Sequence, residues 1–185
     1  MHSKNEPTKC FKVVTAPGYK CINLAEGSLY EEFYGIPELG KPHNLGVPKV
    51  MWVDPDHRKK CIKGSASWFS GGGIVLTVQA VQVLKSALID TELLRLDAEG
   101  EPLFFVNPPK LKDVDVYASE FIPCPISGEP LDFTKVVMRS SFIPDYTIFK
   151  MPGRRSSSVF VTSAFVDCFS NCGLTGIGFE EFFLY

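Results

Sequence analysis

Val159-Phe160-Val161-Thr162-Ser163-Ala164-Phe165-Val166-Asp167-Cys168-Phe169-Ser170-Asn171-Cys172-Gly173-Leu174-Thr175-Gly176-Ile177 is the stretch that decides the fold. Val159–Val161 is β-branched and aromatic, and reads as a strand. Ser163 suits an N-cap, and Phe165, Cys168, Phe169 and Cys172 then recur at i, i+3, i+4 and i+7, one apolar face of a helix over 163–172. Gly173 suits the left-handed residue after a helix end. Ile177–Tyr185 returns as an apolar strand. Strand, helix and strand in so short a span predict α+β: a mixed, mainly antiparallel sheet packed against a few helices.

Upstream, the same signals recur. Ile74–Leu76 is a short apolar run leading into a helix over 77–89, capped by Thr77. Val78, Val81, Leu84 and Leu88 make its apolar face, and Gln79, Gln82, Lys85 and Ser86 the other. Glu92–Leu96 and Leu103–Val106 flank Asp97-Ala98-Glu99-Gly100 as a hairpin, and Thr134–Met138 and Tyr146–Phe149 are further strands. The first seventy residues are rich in Pro and Gly turns, with β-prone runs at Cys10–Thr15 and Lys49–Val53. A helical turn is expected at Ser28–Tyr34, where Ser28 and Glu31 have capping-box spacing. The expected organisation is a turn-rich lobe over 1–70 and an α+β lobe over 71–185, closely packed as one unit.

Composition narrows the class. The 185 residues carry 19 Lys+Arg and 21 Asp+Glu, a net charge of −2, with 45% hydrophobic and 22% charged residues. Fifteen Phe, six Tyr and two Trp supply more large apolar surface than disordered chains carry. Nucleic-acid binding needs a basic excess, which this balance lacks. No apolar stretch is long or clean enough for a signal core or a bilayer span, so a cytoplasmic protein with reduced thiols is expected.

Chemistry-bearing motifs are few. Cys168 and Cys172 have chelating spacing without a second local pair, and His2, His43 and His57 lie more than a hundred residues upstream. Both thiols are expected to be buried, reduced and metal-free, because structural zinc sites show two local pairs. Gly71-Gly72-Gly73 is followed by Ile74-Val75 rather than the Lys-Ser/Thr of a phosphate loop, and reads as a turn. No nucleophile-elbow Gly-x-Ser-x-Gly is present, and Pro123-Cys124 lacks the second cysteine of a zinc deaminase. No catalytic residue, metal or cofactor is expected. Arg58-Lys59-Lys60 and Arg154-Arg155 are short and read as solvated turns.

Charge patterning is more informative. Between Asp90 and Asp132 ten acids face three bases, a local net of −7 that leaves the rest of the chain at +5. Such asymmetry suits a surface that meets a basic partner. Asp113, Asp115 and Tyr117 put charge beside an aromatic anchor, and an extended chain would point all three the same way. These are the candidate partner-binding residues.

From Leu76 onward the chain resembles a known family. The carriers are the amphipathic helix, Leu103-Phe104-Phe105-Val106-Asn107-Pro108, Val114-Asp115, Ile148-Phe149-Lys150, Val159–Ser163 and Gly173-Leu174-Thr175-Gly176-Ile177-Gly178-Phe179. This layout is similar to the polymorphic-toxin immunity proteins of the family numbered eleven, formerly a domain of unknown function. Cys168 and Cys172 stand where that family has charged or small residues. The resemblance implies a bacterial cytoplasmic protein that binds and neutralises a cognate toxin or effector, with no catalytic residue, no direct nucleic-acid contact and no membrane. Two other roles fit the residues: an effector adaptor or chaperone, and a cysteine hydrolase.

Overall fold

A computed structural model describes residues 7–25, 46–55, 59–70, 72–139, 146–153 and 158–185. Strands dominate. β1 (Thr8–Thr15), β2 (Cys21–Leu24), β3 (Val50–Val53), β4 (Ala66–Trp68) and β5 (Ile74–Thr77) come first. Helix α1 (Val78–Val83) and a 3-10 turn (Lys85–Leu88) follow. Next are β6 (Glu92–Ala98), β7 (Glu101–Asn107), β8 (Glu120–Pro123), β9 (Pro130–Lys135), β10 (Ile148–Lys150) and β11 (Val159–Val161). Helix α2 (Ser163–Asn171) and β12 (Ile177–Leu184) close the order. The result is sheet-rich and mainly antiparallel, with few helices.

Three apolar layers are stacked. The outermost is a barrel. The sheet β4-β5-β7-β6 and the ribbon β2-β3 are joined at both edges by single bridges, Ile22 to Phe69 and Lys49 to Asp97. Closure leaves these edges paired, and the small interior is filled by side chains. Ile22, Leu24, Val50, Phe69, Val75 and Phe105 are among those that fill it. At its β6–β7 corner the turn is tight, with Glu99 at φ +55 and Gly100 at φ +90. The Asp97 carboxylate accepts the Gly100 N–H at 2.7 Å. Two successive positive φ values define a type I′ turn, whose twist matches the strands it joins.

Alternation carries the second layer. Val75 and Phe105 face the barrel interior, while Ile74, Leu76 and Val106 face the other way, toward both helices and the central sheet. That sheet has the order β10-β11-β1-β12. On β1, Phe11 and Val13 face the helices, whereas Cys10 faces a third layer with Leu111, Phe133 and Val136. The β8–β9 hairpin covers that far face, and Asp132 ties it down. Its carboxylate accepts from Lys12 Nζ at 2.5 Å and from the Ser158 hydroxyl at 2.7 Å.

The division expected at residue 70 does not coincide with a break in pairing. β1 pairs along its length with β12, and β4 pairs with β5 across that position. The backbone from Gly173 to Gly176 joins these regions. Leu174 N–H bonds the Phe169 carbonyl and Gly173 N–H the Ser170 carbonyl, with Gly173 at φ +64. This is a Schellman ending, and Leu174 and Phe169 share the helix-facing core. Thr175 then accepts from Ala66 N–H at 2.9 Å, and Gly176 passes so close that a Cβ would lie 1.8 Å from the Ala66 carbonyl oxygen.

Several sequence expectations need correction. The helix expected over 77–89 is a six-residue helix continued by the 3-10 turn. Thr77 does cap it, accepting the Ala80 N–H at 3.3 Å. Its buried face is Ala80, Leu84, Ala87 and Leu88, and Val78 is exposed. Ala80, Leu84, Ala87 and Leu88 fall at i, i+4, i+7 and i+8, so the buried stripe runs through two small alanines, and Val78, two residues before Ala80, lies on the opposite side of the helix. At α2 the N-cap is Thr162, without a side-chain bond, and Ser163 is the first helical residue. Phe165 and Phe169 are buried, but Cys168 is only half-buried and Cys172 is exposed. Cys172 sits at the C-cap, where the chain leaves the helix and the apolar stripe ends. The expected Thr134–Met138 strand is β9 ending at Lys135, continued by bridges at Val136 and Met138. The turn expected at Ser28–Tyr34 lies outside the described residues.

Candidate functional site

The acidic segment does not form one face. Glu92, Asp97, Glu99 and Glu101 belong to the barrel strands and their turn. Asp113, Asp115, Glu120, Glu129 and Asp132 belong to the structure covering the far side of the central sheet. Bases from elsewhere in the chain also meet part of it. Lys63 pairs with Glu101 at 2.7 Å, Lys12 with Asp132 at 2.5 Å, and Lys135 with Glu120 at 3.6 Å. The sequence count of −7 therefore overstates the field at any single place.

What stands out at the far side is a turn and a hairpin. Val114 bridges Met138, with Asp115 N–H bonding the Val137 carbonyl and Arg139 N–H the Asp113 carbonyl. Val114 points inward and is buried, which leaves Asp113 and Asp115 on its two sides. The chain is not extended across the three candidates. Asp113 sits at φ +61, a conformation that Asp tolerates better than most residues. After Asp115 the chain turns, and the Asp115 carboxylate accepts the N–H groups of Tyr117 and Ala118 at 3.1 and 3.2 Å. The Ser119 hydroxyl locks this turn to the neighbouring segment: it donates to the Asp115 carbonyl and accepts from Val137 N–H.

The turn leaves Tyr117 98% exposed. Beyond it runs the β8–β9 hairpin, with Ile122 and Ile126 exposed and Cys124 buried at its neck. Cys124 N–H bonds the Glu129 carbonyl and Gly128 N–H the Cys124 carbonyl, so the hairpin end is held by its own backbone. Three large apolar side chains thus stand in solvent along one short stretch of chain, which also carries the exposed Asp113, Glu120 and Glu129. The sequence pattern singled out Asp113, Asp115 and Tyr117 but not Ile122 or Ile126. Alternation along β8, with Phe121 packed on the third core and Ile122 outside it, was the available signal.

Elsewhere, Lys150 and Cys10 depart furthest from their ordinary titration. Burial and, secondarily, the Lys110 charge lower the Lys150 ammonium to about 8; its Nζ lies 5.2 Å from the centre of the Phe105 ring. Burial pushes the Cys10 thiol up to about 12. Among the described residues, Lys150 neighbours a second lysine, and Cys10 sits among apolar side chains. Among the described residues, no three His, Cys, Asp or Glu side chains are grouped to hold a metal ion. His2, His43, His57, Gly71, Arg58, Arg154 and Arg155 lie outside them. Gly72 and Gly73 form the tight β4–β5 turn, where a Cβ on Gly73 would meet the Phe105 ring at 2.5 Å. No described helix is long and apolar enough to cross a membrane. No family model matches the chain, and no curated protein matches it.

Proposed function

We propose that this protein is an immunity protein that binds a cognate bacterial toxin or effector and neutralises it in the cytoplasm of the producing cell. In this reading the chain catalyses nothing, and its partner presents a basic surface. The observation that carries the reading is that Tyr117, Ile122 and Ile126 are all exposed on one stretch of chain, which also carries the exposed acids Asp113, Glu120 and Glu129. Interfaces of this kind draw affinity from an aromatic or apolar anchor, and their partner choice and encounter rate from rim charge. The turn that carries Tyr117 is already fixed by Asp115 and Ser119, so little ordering cost falls on binding. The likeness of the Val159–Phe179 run to the immunity family points the same way. We class the fold as α+β rather than all-β, because α1 and α2 fill the layer between barrel and central sheet.

The test is co-expression with the protein encoded beside its own gene. Neutralisation predicts that the neighbour arrests growth alone, that this chain restores growth, and that the two co-purify. A neighbour that is harmless alone yet requires this chain for export would contradict immunity and favour an adaptor.

A further inference from the structure

Cys168 and Cys172 stand one turn apart at the C-terminal end of α2; Cys168 packs against the edge of the helix-facing core, and Cys172 lies outside it. Cys172 is exposed, Cys168 is half-buried, and the other four cysteines are buried. This pair alone among the six combines adjacency on one element with access from solvent. We propose that it is a two-thiol site for a soft, thiophilic ion of the trivalent-arsenic class.

The backbone decides between a bridging atom and a direct disulfide. Side chains four apart on a helix have Cβ atoms about 5–6 Å apart. A disulfide needs about 3.5–4.5 Å. Closing that gap would break the Cys172 N–H bond to the Cys168 carbonyl, 3.1 Å, and disturb the Schellman ending built on Gly173 and Leu174. Trivalent arsenic is pyramidal, with its two sulfurs at about 95°, so sulfur bonds of about 2.3 Å, the zinc–sulfur value, hold the sulfurs ~3.4 Å apart, well beyond the ~2 Å of a disulfide bond. The helix end can then stay as it is.

Donor number and chemistry narrow the ligand further. Thiolates select soft ions, and zinc in a structural site wants four ligands. No third His, Cys, Asp or Glu joins this pair among the described residues. An ion content with two sulfurs therefore fits. Burial, and then the neighbouring Cys172 thiol, raise the Cys168 pKa. Oxidation by peroxide runs through the thiolate and is slowed by this. Exchange with a trivalent arsenic oxide is not. Two S–H bonds break, two As–S bonds form, and the oxide oxygen leaves with both protons as water. Arsenic stays trivalent, so no oxidant is needed.

The probe is phenylarsine oxide, added to the intact full chain with its cysteines reduced and no thiol reductant in the buffer. Native mass spectrometry should give one arsenical per chain. At free arsenical ten times its dissociation constant, iodoacetamide labelling of Cys172 should slow about tenfold. Cys172→Ser alters an exposed side chain and should leave the circular-dichroism spectrum unchanged while abolishing retention; Cys168→Ser should abolish it as well. An adduct that survives Cys172→Ser, one that maps to any buried cysteine, or the absence of a 1:1 adduct would overturn the site.

Discussion

Asp115 shows how one side chain can hold two roles that a charge count merges. Its carboxylate caps the turn by accepting two backbone N–H groups, and it also contributes charge beside Tyr117. Asp115→Asn keeps an acceptor oxygen and removes the charge, whereas Asp115→Ala removes both. Urea denaturation should therefore show Asp115→Ala about 1 kcal/mol less stable, as for loss of a cap, and Asp115→Asn much closer to the parent. Equal loss in both variants would mean the charge, not the cap, holds the turn. Lys150 makes the opposite case, a charge that costs stability. Its folded value of about 8 lies below the ordinary lysine value of 10.5. Below pH 8 both states are protonated and the full cost is present. Between these values the unfolded chain holds more protons, so stability rises with pH until the cost is gone. A shift of this size corresponds to at most about 3 kcal/mol, and partial exposure reduces it to ~1–2. Lys150→Met should raise the urea midpoint at pH 7 and leave little gain at pH 10.5. A constant gain across that range would remove titration as the cause.

Among the elements, α1 is where the sequence misled most and where the correction is easiest to test. Periodicity placed Val78 and Leu84 on one buried stripe; the structure buries Leu84 and exposes Val78. Leu84→Ala should cost about 2–5 kcal/mol, as for a large-to-small change in a packed core. Val78→Ala should cost less than ~1 kcal/mol, and thermal melts of the two variants separate the readings. The last strand–helix–strand unit was legible because its signals are local: β-branched residues, an i, i+3, i+4 stripe and a glycine at the helix end. What was hidden there is the role of Gly176, whose tightness comes from Ala66, more than a hundred residues earlier. Gly173→Ala meets open space and pays only for its left-handed backbone, about 1 kcal/mol. Gly176→Ala also meets the Ala66 carbonyl and should unfold the protein or cost several times more. If the two alanine variants melt alike, the close approach at Gly176 does not join the two regions.

Over the whole molecule, the stacking of barrel, helices and central sheet explains why charge was the least readable feature. A run of acids contiguous in sequence is divided between two ends of a layered structure, and Lys12, Lys63 and Lys135 reach three of them from outside the run. The candidate surface was half-legible for the same reason. Asp113, Asp115 and Tyr117 are neighbours in sequence, whereas the exposure of Ile122 depends on which face β8 turns to solvent and that of Ile126 on the hairpin end. The central claim is that this surface binds a basic partner through an apolar anchor. Measure association and dissociation rates for the neighbouring-gene product at low and high salt, using the parent, Tyr117→Ala and the Asp113→Asn/Asp115→Asn pair. Loss of the anchor should speed dissociation at least tenfold, about 1.4 kcal/mol or more. Loss of the two charges should slow association and flatten its salt dependence while leaving dissociation nearly unchanged. Rates unaltered in both folded variants would contradict the account.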